Sequence, residues 1–188
     1  MAGLADVGVG KRLSVIVVSG VVVAACVTGI GMWSQERLAH QGDEVHAFAM
    51  TKAALNHLDT RESELKVDAY RAFGGADTTQ DVADDVLSAL EAYDAAKVFA
   101  LPGDIDDDIL ALEPNVTGFN EFSVDFVNRA VKDPSSVRDQ YDSIADQNHV
   151  VDDAIGAIHE KLDAAIAQEQ TDMAATTASA GCGCCWSP

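Results

Sequence analysis

From Leu13 to Trp33 the chain carries no charged side chain, and no other feature limits its possible folds as strongly. At about 1.5 Å rise per residue, a helix of this length spans roughly 30 Å, the thickness of a bilayer's hydrocarbon core. The segment is therefore expected to be a membrane helix. Lys11 and Arg12 immediately precede it, and positive charge favours the cytoplasmic face. Residues 1–12 are accordingly expected in the cytoplasm, 13–33 in the bilayer, and everything from residue 34 on outside the cytoplasm.

Two rival readings use the same residues. A cleaved secretory signal has a shorter apolar region, about 7 to 15 residues, followed by a small-residue cleavage site. Here the apolar run continues past any such site. Lipidation is the sharper rival, because Val23-Ala24-Ala25-Cys26 has the small-residue approach of a lipid-modified cysteine, with Cys26 as the acceptor. Against it, Val27 to Trp33 stays uncharged where a lipoprotein turns polar. An uncleaved anchor accounts for more of the pattern.

The chain has 31 acidic and 12 basic residues, and all of these except Asp6, Lys11 and Arg12 lie beyond Trp33. A surface with that imbalance repels nucleic acid and anionic headgroups, so nucleic acid is not an expected partner. Disorder is argued against by apolar residues that recur at helical spacing through residues 38–166. The clearest series is Val137, Tyr141, Ile144, Asn148, Val151, Ile155, Ile158, Leu162 and Ala165, where steps of 4 and 3 alternate. Such a seam belongs to a left-handed helical bundle, and its one amide, Asn148, is expected to be satisfied inside it.

Earlier segments repeat the pattern. Leu38, Gln41, Val45, Phe48, Lys52 and Leu55 form a seam that shifts and continues through Leu58, Glu62, Leu65, Ala69 and Ala72. Gly74-Gly75 ends this helix, and Thr78 or Thr79 is expected to cap the next. Val82, Val86, Leu90, Tyr93, Lys97 and Ala100 mark a second helix reaching Pro102-Gly103. A third, capped by Asp104, rests on Ile105, Ile109, Leu112, Val116, Phe119 and Phe126, with a kink at Pro114. Asp133-Pro134-Ser135-Ser136 separates it from the fourth. Four amphipathic helices with short connections predict an all-α chain whose region 34–178 is an up-down four-helix bundle.

At this point a resemblance can be stated. Leu58-Asp59-Thr60-Arg61-Glu62-Ser63-Glu64-Leu65-Lys66-Val67-Asp68-Ala69-Tyr70-Arg71 and Asp172-Met173-Ala174-Ala175-Thr176-Thr177-Ala178 resemble parts of methyl-accepting chemotaxis proteins with a four-helix-bundle ligand-binding domain, particularly those of high-GC Gram-positive bacteria. The resemblance covers residues 10 to 180. It implies a cell-membrane sensor with no catalytic residues, which signals once joined to a second membrane helix, a HAMP module and a cytoplasmic hairpin. None of these follows Ala178 here. The alternative is a complete membrane-tethered or lipidated helical interaction protein at the cell surface.

Residues 179–188 include Cys182, Cys184 and Cys185, too tightly spaced for a zinc site or a simple disulfide. Read one nucleotide later, each cysteine codon becomes Ala or Val and that of Trp186 becomes Gly, so this tail is expected to be out of frame. His40, His46, His57, His149 and His159 lack metal-site spacing, and the runs Asp84-Asp85, Asp106-Asp107-Asp108 and Asp152-Asp153 lack the pattern of a calcium loop. No metal, cofactor or catalytic residue is expected. For an anionic small molecule the natural contacts are Arg61, Lys66 and Arg71, although each of these can instead pair with a nearby carboxylate, as Lys66 can with Glu62. A periplasmic-type binding protein is the other ligand considered. A parallel homodimer is expected, with small surfaces at Gly20, Gly29 and Gly31 in the apolar helix.

Overall fold

The computed structural model describes the backbone of residues 9–182 and the side chains of Met32 and residues 35–178. The elements are α1 (Val9–Phe73), α2 (Thr79–Ala96), α3 (Gly103–Ala111), α4 (Glu113–Ala130), a 3-10 segment (Pro134–Gln140) and α5 (Tyr141–Cys182). No strand occurs among the described residues, so the chain is all-helical. Two units are distinguished, Glu44–Gln168 and Met1–Asp43 with Glu169–Pro188. In the second, Gln41 and Thr176 are buried, and Thr176 Oγ1 donates to the Asp172 carbonyl at 2.8 Å.

The contacts within Glu44–Gln168 fix the direction of each helix. On α1 and α5, Lys52 pairs with Asp163, Lys66 with Asn148, and the Tyr70 and Phe73 rings lie 5.0 and 4.9 Å from Tyr141. Early residues of one helix meet late residues of the other, so the two are antiparallel. The same inversion holds for α1 and α2 through Arg61–Asp85 and Arg71–Asp81. Val86 and Leu90 of α2 share a groove with Thr117 and Val124 of α4, and Lys161 of α5 reaches Asp104 and Asp108 of α3. The result is four antiparallel rods, the third made of α3 and α4 in succession. The chain enters this unit on α1 and leaves it on α5 at the same end.

The third rod is interrupted beside Pro114. Pro114 lacks an amide hydrogen and crowds the carbonyl four residues earlier, so α3 stops at Ala111 and α4 resumes at Glu113. Leu112 between them keeps helical angles, φ −71° and ψ −24°. Its seam is as expected, because Ile105, Ile109, Leu112, Val116, Phe119 and Phe126 are all buried. The α5 seam is likewise buried from Ile144 to Leu162, while Tyr141 is exposed at the helix start.

The second rod departs from expectation. Leu90, Lys97 and Ala100 are exposed, and the buried face is Val82, Ala89, Ala92, Tyr93 and Ala96. α2 packs on α4, and Leu90 lies at the open edge of that contact, where it lines a groove with Thr117 and Val124. Tyr93 adds a hydrogen bond, its hydroxyl donating to the Ile109 carbonyl at 3.0 Å.

The helix starts also differ. Gly75 has φ +94°, the left-handed turn expected after α1. Thr78 holds the N-cap position of α2 as expected, but its side chain makes no capping bond: Thr78 Oγ1 donates to the Asp68 carbonyl at 3.0 Å, and Asp77 accepts from the Thr79 amide at 3.2 Å. Thr78 is fully buried, and a buried hydroxyl left without a partner is costly, which explains why it bonds the Asp68 carbonyl. Asp104 lies inside the first turn of α3, and Asp106 instead accepts from the Leu101 amide at 3.2 Å. Asp133 accepts from the Ser135 amide at 3.0 Å, and the 3-10 segment precedes α5. An aspartate, rather than a serine, opens that segment.

Among the described residues, no helix is long and apolar enough to cross a membrane. The expected membrane segment, 13–33, is helical in backbone but, apart from Met32, lies outside the described side chains. Cys26, Gly20, Gly29, Gly31 and the tail from Cys182 on fall outside them too.

Candidate functional site

The seam between α1 and α5 is mostly apolar, with Thr51 buried early in it and one richer polar layer farther along. Glu62 occupies a core position between Leu58 and Leu65, is fully buried, and neither carboxylate oxygen has a hydrogen-bond partner among the described residues. Burial, reinforced by Asp152 and Asp59, pushes its pKa up to about 8. A carboxyl in such a place is held as the neutral acid at pH 7. Its charge would otherwise have no counterion in a low-dielectric core.

Around it lies a connected polar set. Lys66, one turn along α1, donates to Asn148 Oδ1, and Asn148 Nδ2 donates to Asp152 Oδ1 at 3.1 Å. Asn148 is thus satisfied on both sides inside the seam, as its heptad position predicts. Asp152 also has a raised pKa, first through burial and then through the charge of Asp59, with Lys66 and His149 opposing. Farther along α5, His159 is pushed down by burial and by Lys52, and its Nε2 has no partner among the described residues. Such a layer can fix the register of two helices, and its charge state changes near neutral pH.

The three cations expected to meet a ligand are all engaged internally. Arg61 Nη1 is 2.6 Å from Glu64 and 3.2 Å from Asp85. Arg71 Nη1 is 2.6 Å from Asp68 and 3.1 Å from Asp81. Lys66 turns to Asn148 and not to Glu62, which sits in the core. Arg71 lines a groove of about 400 Å³ between α1 and α2 together with Glu64, Val67, Asp68, Asp81, Asp84 and Asp85. Burial raises the pKa of both Asp68 and Asp85, with nearby carboxylates adding to it and an arginine opposing in each case. Lys66 does not line this groove. An anion entering here would have to displace Asp68 or Asp81 and approach five carboxylates.

Sequence reasoning placed Glu62 in a seam without giving it a role, although acid at a heptad core position between two leucines was the available signal. It passed over Asn120, whose carboxamide is buried without a partner on α4. Among the described residues, no group of three His, Cys, Asp or Glu is arranged to hold a metal ion. The chain matches no protein-family model, no curated protein and no solved structure.

Proposed function

We propose that this chain is the membrane-anchored sensor portion of a bacterial chemoreceptor, working as a homodimer with its bundle outside the cytoplasm and joined to a cytoplasmic signalling domain. The observation that carries the reading is the antiparallel pairing of α1 with α5. The chain comes into the bundle on a 65-residue helix that includes the uncharged segment, and leaves at the same end on a 42-residue helix. A sensor that reports across a bilayer needs that arrangement, because a ligand-driven shift of one long helix against its neighbour can then be carried to the membrane side. Packed helix pairs allow such displacements of about 1–2 Å.

The layer of Glu62, Lys66, Asn148 and Asp152 supports the same reading. It couples the two helices through groups whose energies depend on register, so two discrete positions are better separated than in a uniformly aliphatic seam. No bond-making chemistry is assigned to any residue. Arg61, Lys66 and Arg71 keep a place in this proposal as ligand contacts only for an anion able to compete with their carboxylate and amide partners.

Sequencing the gene and about 1,200 nucleotides beyond codon 188 tests the proposal, a length that covers a membrane helix of about 20 residues and a cytoplasmic domain of a few hundred. The expected result is a one-base change near codon 181 that opens an apolar helix followed by a long heptad-patterned region. A sequence encoding no such helix in any frame removes the receptor assignment.

A further inference from the structure

Glu62 is fully buried, and both its carboxyl oxygens lack a hydrogen-bond partner among the described residues. Without its proton it needs a counterion, because a bare carboxylate in an apolar core is held only at great cost. Helix geometry fixes which cation is nearest. Lys66 follows four residues on, the spacing at which a glutamate and a lysine of one helix can meet. Its ammonium already reaches into the seam, since its partner Asn148 is itself fully buried. Turning from Asn148 to Glu62 takes only a swing of a flexible four-carbon stem.

The other charges around Glu62 cannot take that place. Asp59 on α1 and Asp152 on α5 both add negative charge beside it. His149 of α5 is mostly exposed and lies 3.8 Å from Asp152. Lys52 is held by Asp163, and Arg61 is held by Glu64 and by Asp85 of α2. His159, beside Lys52, is pushed towards its neutral form by burial. The buried faces of α2, α3 and α4 contribute Tyr93 and no charged group. Lys66 is the cation that can follow the charge of Glu62.

Its departure would strip Asn148 Oδ1 of the bonded ammonium, while Nδ2 stays on Asp152. A buried amide oxygen without a donor is costly, and a shift of α5 that brings the layer towards water relieves it. We propose that the α1–α5 seam is a proton-operated helix switch. With Glu62 neutral, Lys66 ties α1 to Asn148 and fixes the register; when Glu62 gives its proton to solvent, Lys66 moves onto the carboxylate, Asn148 is released, and α5 shifts against α1. The stimulus is the acidity of the surrounding water. The switch belongs to the bundle whether or not the chain is part of a receptor; only its use to report external pH rests on the sensor reading, which the gene sequence tests separately.

The test follows the Asn148 side-chain amide by nuclear magnetic resonance in the purified full chain, in detergent, from pH 6 to 9.5. The parent signal should move with a midpoint near pH 8. It should end at the position that Lys66→Met, which has no ammonium to offer, shows at every pH. Glu62→Gln, nearly the same in shape, should keep the low-pH position throughout, with its circular dichroism spectrum unchanged. Spin labels at Met50→Cys on α1 and Val150→Cys on α5, both exposed positions, report the helix shift. With the other cysteines replaced by serine and the labelled chain diluted in unlabelled chain, their separation should change by about 1–2 Å over the same range, but not in Glu62→Gln. The proposal is overturned if the Asn148 signal stays in place up to pH 9.5, or if it moves equally in Glu62→Gln. It is also overturned if His149→Gln, and not Glu62→Gln, removes the transition, or if the label separation is constant while the signal moves.

Discussion

The α1–α5 pair and the α2–α4 pair have the same antiparallel geometry but differ in their buried polarity, because only the first joins some of its polar groups into a bonded set. Along α1 and α5 the core is Leu55, Leu58 and Leu65 with Ile144, Val151, Ile155, Ile158 and Leu162. Lys66, Asn148 and Asp152 bond to one another, while Glu62, Thr51 Oγ1 and His159 Nε2 have no partner among the described residues, and Glu62 is relieved by holding its proton. Along α2 and α4, small residues Ala89, Ala92 and Ala96 accompany the large rings Phe119 and Phe126, and the buried polar groups of Asn120 and Ser123 find no partner among the described residues. One pair is keyed internally; the other leaves an opening.

The largest expected effect comes from the keyed pair. Glu62 is raised from 4.5 to about 8, so the folded chain holds this proton more tightly than the unfolded chain. Its stabilising contribution is complete below about pH 4.5 and is lost as pH rises through about 8. At 1.36 kcal/mol per pKa unit, the loss approaches about 5 kcal/mol. Urea unfolding at pH 5, 6.5 and 8 should show this decline, and Glu62→Gln should flatten most of it. A parent curve as flat as the variant's would erase the distinction between the two pairs.

Next comes the ring core of the open pair. Phe119 is fully buried, and Phe119→Ala should cost about 3–5 kcal/mol because a packed core refills such a cavity only in part. That loss should be nearly independent of pH, unlike the Glu62 effect. A loss below about 1 kcal/mol would mean the ring is not packed as described. The smallest effect is Tyr93→Phe, which removes the hydroxyl bonded to the Ile109 carbonyl and should lower stability by about 1 kcal/mol. Its thermal midpoint, compared with that of Phe119→Ala, separates the contribution of a hydrogen bond from that of ring volume on the same side of the bundle.

The two pairs were not equally legible in the sequence. The α5 seam could be read directly, since steps of 4 and 3 with large aliphatic residues leave a single choice of buried face. So could the α3–α4 rod, including its interruption beside Pro114, because proline's missing amide acts locally. The α2 face could not, since a count of hydrophobicity ranks Leu90 above Ala89 and Ala92, and only the packing of α2 on α4 reverses that order. Thr78 was placed correctly as the cap of α2, but its side chain bonds the Asp68 carbonyl instead of a helix amide, because its own burial demands a partner that no local pattern reveals. The site residues show the same limit. Arg61 and Arg71 were visible as cations, but their partners Asp85 and Asp81 sit on another helix. Asn120 was hidden because whether a polar residue is unpartnered depends on every helix around it.

The claim that α1 and α5 are keyed by a neutral buried acid can be read from Glu62 itself. Infrared difference spectra of the parent against Glu62→Gln, followed through the carbonyl stretch of the protonated acid, give its titration without reference to folding. Half-loss of that band near pH 8 is the predicted result. A midpoint near 4.5, the ordinary value for glutamate, would mean the layer is open to water and the α1–α5 seam is not keyed as described.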